Sequence, residues 1–260
     1  MAPNPILKVL STFKKHKVKS LLIGGQACII YGAAEFSRDS DFVILCNNEN
    51  IEHLKEALDE LKAEPIYFPS LKAEYLERGH ACHFRCKAAD VLDLRVDIMA
   101  KMRGCDPFEN LWLRRKTINV KYNGAIDVIG LTDLVQSKKT QRDKDWFMLK
   151  QLVENDINNK NNPPKKTIKW WFMESRSADS LIKLSKKYPA IAKECLKKRP
   201  LLESAIAPDA HKLDLRFNKE ESTERQKDVE YWEPLKRELE VLRHGVKNPF
   251  KNHPLTNPKT

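Results

Sequence analysis

The residues best suited to chemistry are two aspartates on a predicted strand that follows a Gly-Gly turn. Asp39 and Asp41 introduce an apolar run, and Gly24 and Gly25 end the apolar strand before it. Carboxylates at i and i+2 of a strand project from one face with their Cα atoms ~7 Å apart. That spacing suits a pair of Mg²⁺ ions about 3.5–4 Å apart.

Glycine has no Cβ, so its backbone can approach a phosphate closely. A helix predicted from Gln26 would direct N–H groups to the same place. Together the two motifs predict metal-assisted chemistry on a nucleoside triphosphate.

A third carboxylate is expected from the segment 92–99, which alternates like a strand. Its apolar residues occupy one face and its charged residues the other, namely Asp93, Arg95 and Asp97. Metal-dependent transfer uses such a group to hold a metal and to take a proton from the attacking hydroxyl. Asp97 is the first choice because apolar residues flank it closely on both sides, and Asp93 is the alternative.

These residues resemble the nucleotidyltransferase superfamily of polymerase β type. Gly24-Gly25, the Asp39-x-Asp41 pair and a separate strand aspartate are the family's pattern. Within it, the chain is most similar to the small prokaryotic MNT-like and AbiEii-like enzymes of toxin–antitoxin and phage-defence systems. Ala27 follows the Gly-Gly pair as in that group. Glu35 departs from the pattern, because many relatives have Arg there.

The resemblance also implies a nucleotide pocket. Ser37 and Arg38 precede the first aspartate, where relatives carry Thr or Ser and a basic residue. Segment 131–145 is similar to a family helix whose Lys and Arg-x-Lys-Asp stretch line that pocket, which here gives Lys138, Arg142 and Asp145. By this resemblance, Lys138 and Arg142 would offset charge on the triphosphate as pyrophosphate leaves.

Periodicity and resemblance together predict an α+β fold with a mixed β-sheet nucleotidyltransferase core flanked by helices, then an all-helical C-terminal region. Predicted domains are 1–157, a linker 158–166 rich in Asn, Pro and Lys, a helical region 167–246 and a flexible tail 247–260. Thr132 is the expected N-cap of a helix running to about Glu154. Further helices are expected at 167–174, 177–187, 189–198 and 228–243, and Asn123-Gly124 predicts a hairpin turn.

Composition and charge limit the partners and the location that are expected for the chain. The 260 residues carry a formal charge of +11, and most of the excess falls in residues 156–260, which fits a polyanionic partner such as RNA, for example a tRNA-like end, and fits a solvated Lys-rich surface equally well. No apolar run approaches the ~18 residues of a membrane span, and the N-terminus lacks a signal-peptide pattern. Six scattered cysteines indicate reduced thiols and a cytoplasmic location. The sequence does not indicate an oligomeric state.

Three functions follow from these residues. The first is an enzyme that uses two Mg²⁺ ions to move an NMP from an NTP onto an RNA end or a protein hydroxyl. The second is a nucleotidyltransferase-fold protein without turnover that binds RNA or a protein, as Glu35 and the polar C-terminal region suggest. The third transfers the nucleotide to a small molecule, as aminoglycoside-modifying relatives do. A zinc site at Cys82 and Cys86 is disfavoured, because the two lie about 13 Å apart on a strand.

Overall fold

The computed structural model describes residues 5–120 and 124–245 and confirms the predicted α+β fold. One mixed sheet of seven strands runs in the order β3-β4-β5-β2-β1-β7-β6. Its strands are β1 (Ser20–Ile23), β2 (Asp39–Ile44), β3 (Ala63–Pro65), β4 (Cys82–Cys86), β5 (Arg95–Met99), β6 (Lys116–Val120) and β7 (Gly124–Val128). Asn123 of the predicted turn and the tail 247–260 lie outside the described residues.

Helices precede, interrupt and follow the sheet in sequence. The first five are α1 (Pro5–Lys15), α2 (Gly24–Ile30), α3 (Asn48–Glu60), α4 (Ala73–Arg78) and α5 (Phe108–Leu113). The rest are α6 (Leu131–Ser137), α7 (Asp143–Asn159), α8 (Lys165–Glu174), α9 (Ala178–Lys187), α10 (Pro189–Leu196), α11 (Glu203–Ile206) and α12 (Ala210–Gly245). Single 3₁₀ turns occur at Ala89–Val91 and Pro200–Leu202.

The chain divides into two compact units. The first contains the sheet and comprises residues 5–27, 36–130 and 231–245, apart from 121–123. The second is helical and comprises residues 28–35 and 131–230. The sequence prediction instead places residues 131–157 in the first domain and a linker at 158–166.

The first unit is built on an apolar sheet face covered by helices. Val9 and Phe13 of α1 are buried, and the rings of Phe13 and Phe42 lie 4.8 Å apart. Leu54 of α3 is also fully buried. Asn47 caps α3 by accepting a hydrogen bond from the backbone N–H of Asn50 at 2.8 Å. Aliphatic and aromatic side chains at alternate strand positions therefore fix one sheet face in the core and leave the other for polar groups.

The second unit has its own core. Trp171 and Phe172 of α8 are almost fully buried, and Leu181, Leu202 and Leu213 come from later segments. The Trp171 indole N–H donates to Asp156 at 2.9 Å, which satisfies the one polar atom of this buried ring. Ser177 caps α9 through the backbone N–H of Ser180.

Several predicted boundaries were wrong. The helix expected from Thr132 to Glu154 is broken between Ser137 and Asp143, and Thr132 lies inside α6 rather than at its N-cap. The break is stable because the Trp146 indole N–H donates to the Thr140 carbonyl at 2.7 Å. The last helix is longer than predicted and starts at Ala210. None of the described helices combines the length and apolar character that crossing a membrane requires.

Candidate active site

The three predicted carboxylates share one face of the sheet. β2 and β5 are parallel neighbours, and their register sets Asp41 directly opposite Asp97 and Asp39 opposite Arg95. Residues opposite each other point to the same side, and neighbouring strands lie about 4.8 Å apart. Asp39, Asp41 and Asp97, here called the carboxylate face, are therefore neighbours on one surface. The structure brings them together from strands that are distant in sequence.

Gly24 fits closely against one of these carboxylates. β1 and β2 are antiparallel with Ile23 opposite Asp41, so Gly24 follows directly beside Asp41. A Cβ built on Gly24 would lie 2.0 Å from Oδ2 of Asp41. The backbone of Gly24 is left-handed, with φ of +64°. Both facts explain why glycine occupies this position, since any side chain would collide with the carboxylate.

Gly25 and Ser37 form a second close approach. A Cβ on Gly25 would lie 2.4 Å from the Ser37 hydroxyl oxygen. Ser37 donates to the Asp39 carbonyl at 3.2 Å, and the Gln26 amide donates to the Ser37 carbonyl at 3.1 Å. The predicted residue Ser37 thus ties the loop before β2 to the first turn of α2. Arg38 is exposed next to it.

Asp97 is buried and contacts two basic side chains, His83 and Arg95. Oδ1 of Asp97 is 2.9 Å from Nδ1 of His83 and accepts a hydrogen bond from Nε of Arg95 at 2.8 Å. Burial alone would raise the pKa of Asp97, but the hydrogen bonds and charges of His83 and Arg95 outweigh it and lower that pKa. Asp97 is therefore an ionised carboxylate over the whole neutral range.

His83 and Arg95 are the site residues that the sequence reasoning did not select. β4 is antiparallel to β5 with His83 opposite Asp97, which puts the imidazole on the same face. Arg95 also lies 5.6 Å from the Tyr67 ring centroid, and Tyr67 packs edge-on against His83. The alternation of β4 was visible, but its register against β5 was not.

Asp93, the alternative third carboxylate, does not belong to the strand. β5 begins at Arg95, and Asp93 lies in a left-handed turn with φ of +62°. The turn is fixed because the Asp93 N–H donates to the Cys86 carbonyl and the Cys86 N–H donates to the Leu94 carbonyl, both at 2.9 Å. Its carboxylate is exposed and pairs with Lys87 at 3.3 Å. The strand predicted from Leu92 was therefore three residues too long.

Lys138, Arg142 and Asp145 lie in the second unit and form a cluster of their own. Lys138 donates to Oδ1 of Asp145 at 2.9 Å, and both side chains are buried. Oδ2 of Asp145 accepts from Thr140 at 2.7 Å and from Nε of Arg142 at 2.8 Å. Burial would raise the pKa of Asp145, but the charges of Lys138 and Arg142 lower it. This cluster stabilises the α6–α7 connection, and its predicted role in nucleotide binding stays a prediction.

The donor chemistry of the carboxylate face fits Mg²⁺, which prefers oxygen ligands. Asp39 and Asp41 are partly exposed, whereas one oxygen of Asp97 is already engaged by His83 and Arg95. Among residues 5–120 and 124–245, no three His, Cys, Asp or Glu side chains are arranged as a ready metal cluster. The fit is therefore one of donor type and shared face, with Asp39 and Asp41 as the accessible ligands.

Comparisons with known proteins add no assignment. No protein-family profile matches the chain, and no curated protein matches it significantly.

Proposed function

We propose that the chain is a Mg²⁺-dependent nucleotidyltransferase that moves an NMP from an NTP onto an RNA end or a protein hydroxyl. The observation that carries the proposal is the strand register, which sets Asp41 opposite Asp97 with Asp39 two residues earlier on the same face. Three carboxylates on one face could bind the metal ions of phosphoryl transfer, and the adjacent glycine backbone leaves space for the phosphates.

The proposed reaction transfers a nucleotide to an acceptor hydroxyl. The acceptor hydroxyl attacks the α-phosphorus, its proton goes to a base, and the bond to pyrophosphate breaks. Mg²⁺ bound by Asp39 and Asp41 would offset the negative charge of the triphosphate. The Gly24-Gly25 backbone borders the space for the phosphates, and nothing larger than hydrogen projects from it.

In the proposed reaction Asp97 provides negative charge and does not act as the base. A carboxylate whose pKa is lowered by its contacts with His83 and Arg95 is a weak proton acceptor. Its role in the proposal is to stay ionised beside the metal ligands, with Arg95 and His83 fixing its orientation. The proton of the acceptor hydroxyl then leaves to solvent or to a substrate phosphate oxygen.

The acceptor and the setting follow from charge and chemistry. The excess of basic residues in 156–260 supports a polyanionic acceptor such as RNA. All six cysteines are free thiols, which supports a reducing compartment such as the cytoplasm. A toxin–antitoxin or phage-defence role rests on the resemblance of the motifs alone.

Transfer of labelled nucleotide tests the proposal. The full chain is incubated with Mg²⁺, each α-labelled NTP in turn, total RNA and cell extract. We expect label on RNA or protein, reduced at least roughly a hundredfold by Asp39→Asn with Asp41→Asn. Asp93→Asn is the matched control, because it removes a nearby carboxylate that lies off the strand and tolerates Asn in its left-handed turn. Labelled low-mass product would indicate a small-molecule acceptor instead.

A second candidate is a protein of the same fold that binds a nucleotide without turnover. The observation in its favour is that both His83 and Arg95 engage Oδ1 of Asp97, which competes with a metal. Measurable NTP binding with no transfer from any of the four NTPs would favour this candidate and contradict the enzyme.

A further inference from the structure

The helical unit contains a basic cleft of about 600 Å³. The connection between α8 and α9, the end of α10 and one side of α12 contribute its walls. Seven of its lining side chains are basic and three are acidic. Its volume lies within the range of about 300–1,000 Å³ typical of small-molecule sites.

Two buried arginines in the cleft share one carboxylate. Arg199 donates Nε and Nη2 to Glu220, at 3.1 and 2.8 Å, and Nη1 to the carbonyls of Phe172 and Ser175. Most of the hydrogen-bond donors of Arg199 are therefore occupied by contacts within the helical unit. Arg176 is 3.5 Å from the same Glu220. Glu220 thus contacts both guanidinium groups, and Glu174 and Glu224 are the other acidic residues in the cleft lining.

Arg176 retains donor capacity that the protein does not use. Its side chain is only 10% exposed, and its Nε has no hydrogen-bond partner among the described residues. Its Nη1 makes only long contacts to the carbonyls of Glu174 and Ser175, at 3.3 and 3.4 Å. A buried donor without a partner costs free energy, and a buried cation without full compensation costs more.

The electrostatics around Arg176 agree with this geometry. Burial, and then the charge of Arg199, lower the pKa of Arg176 to about 10. At neutral pH the side chain is still charged, so the cleft keeps its excess cation. Lys198 and Lys219 line the same cleft, are exposed, and form no ion pair within the described residues. The other lining cations, such as Lys227 with Glu224 at 2.8 Å, are paired.

We propose that this cleft binds a small phosphate-bearing anion of about nucleotide size, with a phosphate on the free donors of Arg176. Arginine suits phosphate because its planar fork donates two parallel hydrogen bonds. Lys198 and Lys219 would meet the remaining charge at the rim. A compact terminal phosphate fits within the cleft that Arg176 lines, whereas a nucleic-acid backbone would meet mainly the rim lysines. The site is independent of the proposed activity of the sheet unit.

Calorimetric titration of the full chain tests this site. Inorganic tripolyphosphate and ATP are titrated separately in EDTA, so that no divalent metal links them to the carboxylate face. We expect binding of at least one of them, retained in the variant with Asp39→Asn and Asp41→Asn. Arg176→Gln should weaken binding roughly tenfold or more, since a charge-assisted hydrogen bond is lost.

Controls separate this site from general basicity. Lys198→Ala with Lys219→Ala should weaken binding several-fold, whereas Lys186→Ala with Lys193→Ala, at exposed positions outside the cleft, should leave it unchanged. The double variant of Lys198 and Lys219 keeps the test valid if Arg176→Gln folds poorly. The proposal would be overturned if neither anion bound, or if both lysine double variants lost binding equally. It would also be overturned if single-stranded RNA, titrated in the same way, bound and the two anions did not.

Discussion

The carboxylate face and the basic cleft use the same arrangement with opposite excess charge. On the sheet, Asp97 is flanked by Arg95 and His83, and in the cleft Glu220 is flanked by Arg176 and Arg199. Each is a carboxylate that contacts two basic side chains. The difference lies in what surrounds the trio: further carboxylates on the sheet, and further cations in the cleft.

This difference indicates which ligand each region accepts. Desolvated like charges raise the free energy of the folded state unless an opposite charge relieves them. Asp39 and Asp41 add negative charge beside Asp97, so the sheet face attracts cations. Arg176 adds positive charge beside Arg199, so the cleft attracts anions. The Asp145 cluster is the reference in which each buried charge is hydrogen-bonded, since Lys138, Arg142 and Thr140 all donate to the one carboxylate and the Arg142 side chain is largely exposed.

The largest effect expected separates the two arginines of the cleft. Arg199→Met would remove the side-chain donor of the Phe172 carbonyl and leave Glu220 and the Ser175 carbonyl only their longer contacts to Arg176, and should destabilise the chain by about 3–5 kcal/mol. Arg176→Met removes the excess cation and should be close to neutral or stabilising. Urea unfolding of both variants measures the difference. Equal costs would mean that Arg176 is as structural as Arg199, and the comparison would fail.

The Asp145 cluster gives the next effect. Asp145→Asn would leave Lys138 buried without a carboxylate and should cost about 3 kcal/mol at neutral pH. The pKa of Asp145 is lowered on folding from 3.8, so its contribution is fully present above that value and is lost as pH falls below it.

Urea unfolding of wild type and Asp145→Asn from pH 7 to pH 3 tests the sign. The difference in the free energy of unfolding should be constant down to about pH 5 and shrink below pH 4. Other acidic groups titrate in both proteins, so they cancel in the difference. A difference that grows on acidification would contradict the assigned pairing.

Substitution of Gly24 tests the close approach to Asp41. Gly24→Ala combines a left-handed backbone with a Cβ 2.0 Å from the carboxylate, and should cost roughly 1–3 kcal/mol while displacing Asp41. Gly32→Ala is the matched control: its φ is +72°, and its nearest contact is the end of the Asn155 side chain at 3.3 Å.

Both glycine variants are measured by urea unfolding and by nucleotide transfer. Both variants should be destabilised by the shared backbone strain, Gly24→Ala more strongly because of its collision with Asp41, and only Gly24→Ala should reduce transfer beyond the loss of folded protein. Equal transfer in the two variants would separate Gly24 from the chemistry.

Sequence periodicity predicted the strands that carry the aspartates, but neither β3 nor the partners of the sheet's charges. Asp39, Asp41 and Asp97 were predictable because alternation fixes the face of each strand residue. The pairing of His83 with Asp97 depends on the register between β4 and β5, which local pattern does not encode.

The helical unit was harder to predict for the same reason. Arg176, Arg199 and Glu220 lie on segments separated by more than twenty residues, so only tertiary packing brings them together. Residues 210–227 of α12 were not predicted as helix. Their few buried apolar residues, Leu213 and Phe217, are embedded in a long polar sequence with a weak amphipathic signal.

The smallest effect tests the cation preference of the sheet face without any turnover. Mg²⁺ at ten times its dissociation constant should stabilise the native chain by roughly 1.4 kcal/mol, since it binds the folded state alone. That shift corresponds to a few degrees in Tm for a chain of this size. Asp39→Asn with Asp41→Asn should abolish the shift, whereas Asp93→Asn should keep it because Asp93 lies off the strand. Mg²⁺ should leave the effect of Arg176→Met unchanged, because the cleft contributes excess positive charge. A Mg²⁺ shift that persists without Asp39 and Asp41 would move the cation site elsewhere and remove the charge argument for the carboxylate face.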